Sequence, residues 1–138
     1  MTGVYQHTID AKGRLAIPAR LRDELGDNFH VTLSTEKCLS IYSSDSWDEL
    51  MDRIKALPRL AQKKMRPLFS HAAKCELDSQ GRILLPQALR DFAGLNKNVT
   101  VVGTGELVEI WDSDKWSDVA KIETTPEYIE DIFRELGV

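Results

Sequence analysis

Ile9-Asp10-Ala11-Lys12-Gly13-Arg14-Leu15-Ala16-Ile17-Pro18 and Leu77-Asp78-Ser79-Gln80-Gly81-Arg82-Ile83-Leu84-Leu85-Pro86 repeat one pattern, apolar-D-x-x-G-R-apolar-x-apolar-P. With Ile9 laid over Leu77, the match continues through Leu21-Arg22-Asp23 over Leu89-Arg90-Asp91, Gly26 over Gly94 and Val31 over Val99. One inserted residue later it resumes with Ile41-Tyr42 over Ile110-Trp111 and Trp47 over Trp116. The chain therefore carries a module twice. Solenoids need shorter units and at least three of them, so two long copies predict a pseudo-symmetric pair instead.

Within each copy, alternating apolar residues flank the D-x-x-G-R segment and a glycine occupies its third loop position, which predicts a β-hairpin with Gly13 or Gly81 in the left-handed region. Pro18 and Pro86 then introduce short helices, 19–26 and 87–94, each closed by glycine. Further strands are expected around Phe29 to Leu33 and Leu39 to Tyr42, and around Val99 to Val102 and Leu107 to Trp111. Between the copies, Ser44 or Asp45 is placed to cap a helix whose Trp47, Leu50, Met51, Ile54 and Leu57 recur at helical spacing up to Pro58. The segment 59–71 is interrupted by Pro67 and should be short or broken. After the second copy, Trp116 and Val119 suggest a short helix. Thr125-Pro126 opens another, with Ile129, Ile132, Phe133 and Leu136 on one face and Gly137 past its end. The expected fold is mainly β with short helices, an α+β class. Its segments are a first module (5–47), a helical linker (48–73), a second module (74–117) and a C-terminal helical segment (118–138).

Composition narrows the function. A chain of 138 residues with 29% charged and 42% hydrophobic side chains is an ordinary globular protein. No apolar run approaches a membrane span and the first ten residues lack the marks of a secretory signal, so a cytoplasmic protein is expected. Cys38 and Cys75 belong to no metal or redox spacing and read as small buried hydrophobes, while His7, His30 and His71 are scattered, so neither metal nor cofactor is expected. No catalytic triad, H-E-x-x-H, phosphate loop or G-x-G-x-x-G is present, and Gly103-Thr104-Gly105 is explained by a turn between strands, so no enzyme and no small-molecule substrate are expected. The net charge of −4 is unevenly spread: residues 1–66 hold eleven Lys/Arg against nine Asp/Glu, residues 67–138 seven against thirteen.

The stretches YQHTIDAKGRLAIPARLRDELG and CELDSQGRILLPQALRDFAGL closely resemble the two D-x-x-x-R signatures of the MraZ transcriptional regulators, members of the wider AbrB/SpoVT swapped-hairpin superfamily. The order of features matches over nearly the whole chain: repeat, helical linker, repeat, Trp-containing helix. The resemblance implies that the two AbrB/SpoVT-like modules interlock into a pseudo-two-fold swapped-hairpin β-barrel, and that chains assemble into a closed homo-oligomeric ring, commonly of eight or more subunits. It also implies binding to short direct repeats in double-stranded DNA upstream of the chain's own division and cell-wall operon, usually as a repressor, hence a nucleoid-associated protein. Its signature residues fall on Asp10 and Arg14, and on Asp78 and Arg82.

The residue chemistry agrees. An arginine at the exit of a tight loop can offer its planar fork to guanine or to a phosphate. Lys12 adds positive charge to the first loop, where the second has Gln80, which can read adenine but holds phosphate less well. Asp10 and Asp78 would repel phosphate, so they are expected to accept loop N–H groups or orient the arginines, and Gly13 and Gly81 let the loops approach DNA closely. The DNA-binding candidates are thus Lys12, Arg14, Gln80 and Arg82, with Asp10, Gly13, Asp78 and Gly81 as loop supports.

The plainer readings are a surface salt bridge within each loop, solvated helix faces for Arg20, Arg22 and Arg90 and for the linker's Arg59, Lys63, Lys64 and Arg66, and core positions for Trp47, Trp111 and Trp116. The competing function is an AbrB-like antitoxin or protein-interaction module acting through the final helix.

Overall fold

The computed structural model describes all of residues 1–138. The first copy comprises β1 (Val4–Thr8), β2 (Arg14–Ala16), α1 (Ala19–Leu25), β3 (Asn28–Leu33) and β4 (Leu39–Ser43). Helices α2 (Ser44–Lys55), α3 (Arg59–Lys64) and α4 (Arg66–Ser70) link it to β5 (Ala73–Glu76), β6 (Arg82–Leu84), α5 (Gln87–Ala93), β7 (Asn98–Gly103) and β8 (Val108–Asp112) of the second copy. Helices α6 (Ser113–Glu123) and α7 (Pro126–Leu136) complete this mixed α+β chain.

The strands form an antiparallel six-stranded sheet in the order β1-β7-β8-β4-β3-β5, and a two-stranded ribbon of β2 with β6. This corrects the simple hairpin. After the single bridge Ile9–Leu15 the arms of the first loop part: β1 runs along β7 and β2 along β6. On the other side of the molecule β5 pairs with β3. Backbone groups that a hairpin would satisfy locally are satisfied by the other copy, and the apolar face of each exchanged strand reaches a shared core. Leu15, Ile17, Leu21, Leu25, Phe29, Val31 and Ile41 of the first copy pack with Ile83, Leu85, Leu89, Ala93, Val99, Val101 and Ile110 of the second in one buried cluster.

The register makes the symmetry explicit. Leu15 faces Ile83 in the ribbon and Ser40 faces Glu109 in the sheet; each pair joins equivalent residues of the two copies, so the pseudo-two-fold axis passes between them. Thr8 faces Asn98 where Glu76 faces Asn28, so the counterpart of Val31 is Val101 and that of Phe29 is Val99. The alignment of Val31 with Val99 is therefore wrong by two residues, which are added between Gly94 and β7.

The helices form where local chemistry directs them. Leu21 and Leu25, one turn apart, bury the inner face of α1, which follows Pro18 and ends at Gly26 with φ 78. The cap of α2 is Ser43, one residue earlier than expected, its hydroxyl accepting the Ser46 N–H at 3.2 Å. Ser44 instead donates to the Asn28 carbonyl at 3.1 Å. The linker breaks between α3 and α4 at Met65, with Pro67 in the first turn of α4. Asp112 caps α6, and Thr125 caps α7, whose residues are all exposed.

The expected core positions hold for the cysteines and Trp111, whereas Trp47 and Trp116 are half-buried at the edge of the core. Cys38, Cys75 and Trp111 are buried; Trp116 packs on Trp111 with ring centroids 5.6 Å apart, and Trp47 stacks on His30 at 4.2 Å. Gly103-Thr104-Gly105 is a turn, with the Thr104 N–H donating to the Leu107 carbonyl at 2.9 Å.

Candidate nucleic-acid interface

Each D-x-x-G-R segment folds around its own carboxylate. Asp10 Oδ1 accepts the backbone N–H groups of Lys12 and Arg14 at 3.0 and 2.9 Å, and Oδ2 accepts Arg14 Nε at 2.6 Å. Asp78 repeats the arrangement: Oδ1 takes the N–H groups of Gln80 and Arg82 at 2.8 and 2.9 Å, and Oδ2 takes Arg82 Nε at 2.9 Å. The backbone N–H of Arg14, first, and the arginine side chain with it hold the Asp10 carboxyl below its ordinary pKa; the Arg82 N–H does the same for Asp78. Both carboxylates are thus consumed inside the turn. The arginines are pinned through Nε, and the terminal nitrogens of each guanidinium make no hydrogen bond within the chain. The salt bridge of the plainer reading exists, and it presents the guanidinium group.

Gly13 and Gly81 adopt φ of 87° and 74°, as the loop pattern requires. Their carbonyls reach across to the other copy, Gly13 accepting from the Leu85 N–H at 2.9 Å and Gly81 from the Ile17 N–H at 3.0 Å. A Cβ on Gly13 would lie 2.8 Å from the Leu85 carbonyl oxygen and 2.9 Å from Arg90 Nε, and one on Gly81 would run into the Arg22 guanidinium. Arg90 Nε donates to the Leu85 carbonyl at 3.0 Å. Arg22 and Arg90 are therefore not the solvated helix residues expected from sequence. Both are half-buried, and each backs the turn of the opposite copy. Their only trace in the sequence is their place in the duplicated Leu-Arg-Asp. Arg20 is exposed, as expected.

The ribbon brings the two turns together. Arg14 faces Leu84 and Ala16 faces Arg82, and Arg82 Nη1 comes within 4.0 Å of Asp10 Oδ2. Lys12 and Gln80 are exposed beside them. The five basic side chains Lys12, Arg14, Arg22, Arg82 and Arg90 thus share the turn region with two carboxylates, in a chain whose net charge is −4. Arg59, Lys63, Lys64 and Arg66 lie exposed on α3 and α4, with no carboxylate in ion-pair range.

Little else in the chain is arranged for chemistry. Burial pushes the Cys38 thiol up to about 12 and Cys75 up to about 11, far from thiolate reactivity. No three His, Cys, Asp or Glu side chains come together in a way that could hold a metal ion. No helix is long and apolar enough to cross a membrane.

Comparison with known proteins finds relatives over most of the chain. The family model described as "MraZ protein, putative antitoxin-like" matches residues 1–66 and 68–126. A protein of Alkaliphilus metalliredigens named transcriptional regulator MraZ is 50% identical over 117 residues, 83% of this chain and 82% of its own length. Proteins of the same name from Moorella thermoacetica and Carboxydothermus hydrogenoformans are 46% and 47% identical, over 91% and 84% of this chain and 90% and 83% of their own lengths. With both copies of the repeat inside the match and identity sustained across most of each chain, this protein belongs to the MraZ family.

Proposed function

We propose that the chain is a sequence-specific, DNA-binding transcriptional regulator without catalytic activity, which grips double-stranded DNA through its two arginine turns. The observation that carries this reading is the paired turn itself: Arg14 and Arg82 held through Nε by Asp10 and Asp78, with no hydrogen bond to their outer nitrogens and the two turns close enough for Arg82 Nη1 to approach Asp10 at 4.0 Å. Pre-positioned guanidinium forks suit bidentate contact with guanine edges or phosphates. Lys12 supplies a phosphate contact and Gln80 an amide for a base edge, while Gly13 and Gly81 allow close approach. The names of the relatives point the same way.

The finer reading completes this picture. The exchanged strands and the β2–β6 ribbon form a swapped-hairpin barrel, made of the modules 5–47 and 74–117 with the linker 48–73 and the helical tail 118–138. Chains assemble into a homo-oligomeric ring, bind short direct repeats upstream of their own division and cell-wall operon, and repress it in the cytoplasm, on the nucleoid. One chain offers few positive contacts, and a ring multiplies them by raising the effective concentration of each turn. The surfaces for such contacts are complementary: α7 exposes Ile129, Ile132, Phe133 and Leu136 beside Glu127, Glu130, Asp131 and Glu135, and α3 exposes Leu60 beside Arg59, Lys63 and Lys64. A second copy of this chain is the occupant that this pairing fits, and a contact between two unlike surfaces makes a ring when the rotation between neighbours closes.

The test is fluorescence anisotropy on a duplex carrying the direct repeats upstream of the chain's own gene, beside a scrambled duplex, over a salt series. The wild type should prefer the repeats, with log K falling by about 0.9 per phosphate for each unit of log salt. Arg14→Ala and Arg82→Ala should each remove about 1–3 kcal/mol of that discrimination while the oligomer persists. Absence of binding to both duplexes at low salt would refute the reading.

A further inference from the structure

The two turns are equivalent by symmetry but not in charge. Lys97 immediately precedes the Asn98–Thr8 pair, and its carbonyl accepts the Ile9 N–H at 2.9 Å, one residue before Asp10. Its symmetry counterpart, immediately preceding the Asn28–Glu76 pair, is Asp27. A second exchange of the same sense separates Lys12 of the first turn from Gln80 of the second. Lys97 follows the two residues, Leu95 and Asn96, that are added between Gly94 and β7, and with Asn96, Arg90, Asp10 and Ala11 it lines one open groove along the first turn. Lys12 and Lys97 are exposed, and neither ammonium group has a carboxylate within ion-pair range. The first turn is thus flanked by two unpaired cations where the second has an amide and a carboxylate.

We infer that Lys97 and Lys12 form a backbone-phosphate site beside the first turn, which the second turn lacks, so that the pseudo-symmetric chain engages DNA in one polarity. This rests on the DNA-binding reading above and adds a residue and a direction to it. The unpaired ammonium of Lys97 on the groove and that of Lys12, exposed on the loop beside it, attract phosphate with little requirement for geometry, whereas Asp27 repels it and Gln80 contributes no charge. The first turn therefore carries a hold on the backbone that the second lacks, beside the arginine that each turn presents. A site that obeys this polarity has a head and a tail, although the protein scaffold beneath it has a two-fold axis.

The experiment uses the full-length protein and the duplex from upstream of its own gene, with anisotropy measured over a salt series. Lys97→Ala and Lys12→Ala should each reduce the slope of log K against log salt by about one contact, and should weaken specific and scrambled duplexes alike. Asp27→Ala should leave the slope unchanged or raise it, and the pair Asp27→Lys with Gln80→Lys should raise it, making the turns alike. Circular dichroism checks that these exposed substitutions leave the fold intact. If the wild type binds and Lys97→Ala leaves both slope and affinity as they were, the polar phosphate site is wrong while the arginine turns stand. If the wild type fails to bind either duplex, both readings fall together.

Discussion

Asp10 and Asp78 use one oxygen to order the loop backbone and the other to aim an arginine, so the charge state of a single carboxyl sets both the turn and its cation. Their pKa values in the folded chain lie below the ordinary carboxylate value near 4, so the contribution is fully present above that value and is lost as pH falls through the depressed one. Turn order and DNA binding should hold steady from neutrality to about pH 4 and decline below it. Anisotropy against pH checks this, and in the double variant Asp10→Asn with Asp78→Asn that acid decline should disappear. Gly81→Ala is a harsher change. It places a Cβ at positive φ and against the Arg22 guanidinium, so a loss of about 1–3 kcal/mol in denaturant melts is expected. The carboxylates, glycines and arginines of the turns were legible because their spacing within one short segment already dictates their roles. Arg22 and Arg90 were not, because each acts on the turn of the other copy, and nothing in a helix sequence reports what lies across a ribbon.

The helices and strands were legible in kind, and their partners were not. Alternating apolar residues predict a half-buried strand whichever strand lies beside it, so the pattern at β1 could not distinguish β2 from β7. The displaced match of Val31 to Val99 has a similar origin, since a slip of two residues keeps every side chain on the same face and leaves the pattern intact. Helix starts are sensitive to a shift of one residue, and α2 shows it: Ser43, Ser44 and Asp45 are all plausible caps by type, and only the strand end of β4 selects Ser43. Ser43→Ala should therefore cost about 1 kcal/mol, whereas Asp45→Ala should cost only a few tenths through its interaction with the helix dipole. Thermal melts of the two variants distinguish them.

At the level of the whole molecule, the buried core draws on both copies and the outer surface is left with one unpartnered amphipathic helix. An eleven-residue helix in contact with little besides α6 is marginal in water, so its apolar face is best explained by a neighbour. Phe133→Glu should reduce the mass of the proposed assembly in light scattering while leaving each chain folded, and an unchanged mass would remove α7 from the proposed subunit contacts. The strand exchange acts in time as well as in space. Tyr5 pairs with Val101, so a ribosome adding roughly 5–20 residues per second completes the partner of β1 about 5–20 s after β1 itself. A local hairpin closes in about 1–10 μs. For most of its own synthesis, then, the first strand of this protein is an open edge waiting for a partner that has not yet been made, and translation sets the earliest moment at which it can fold.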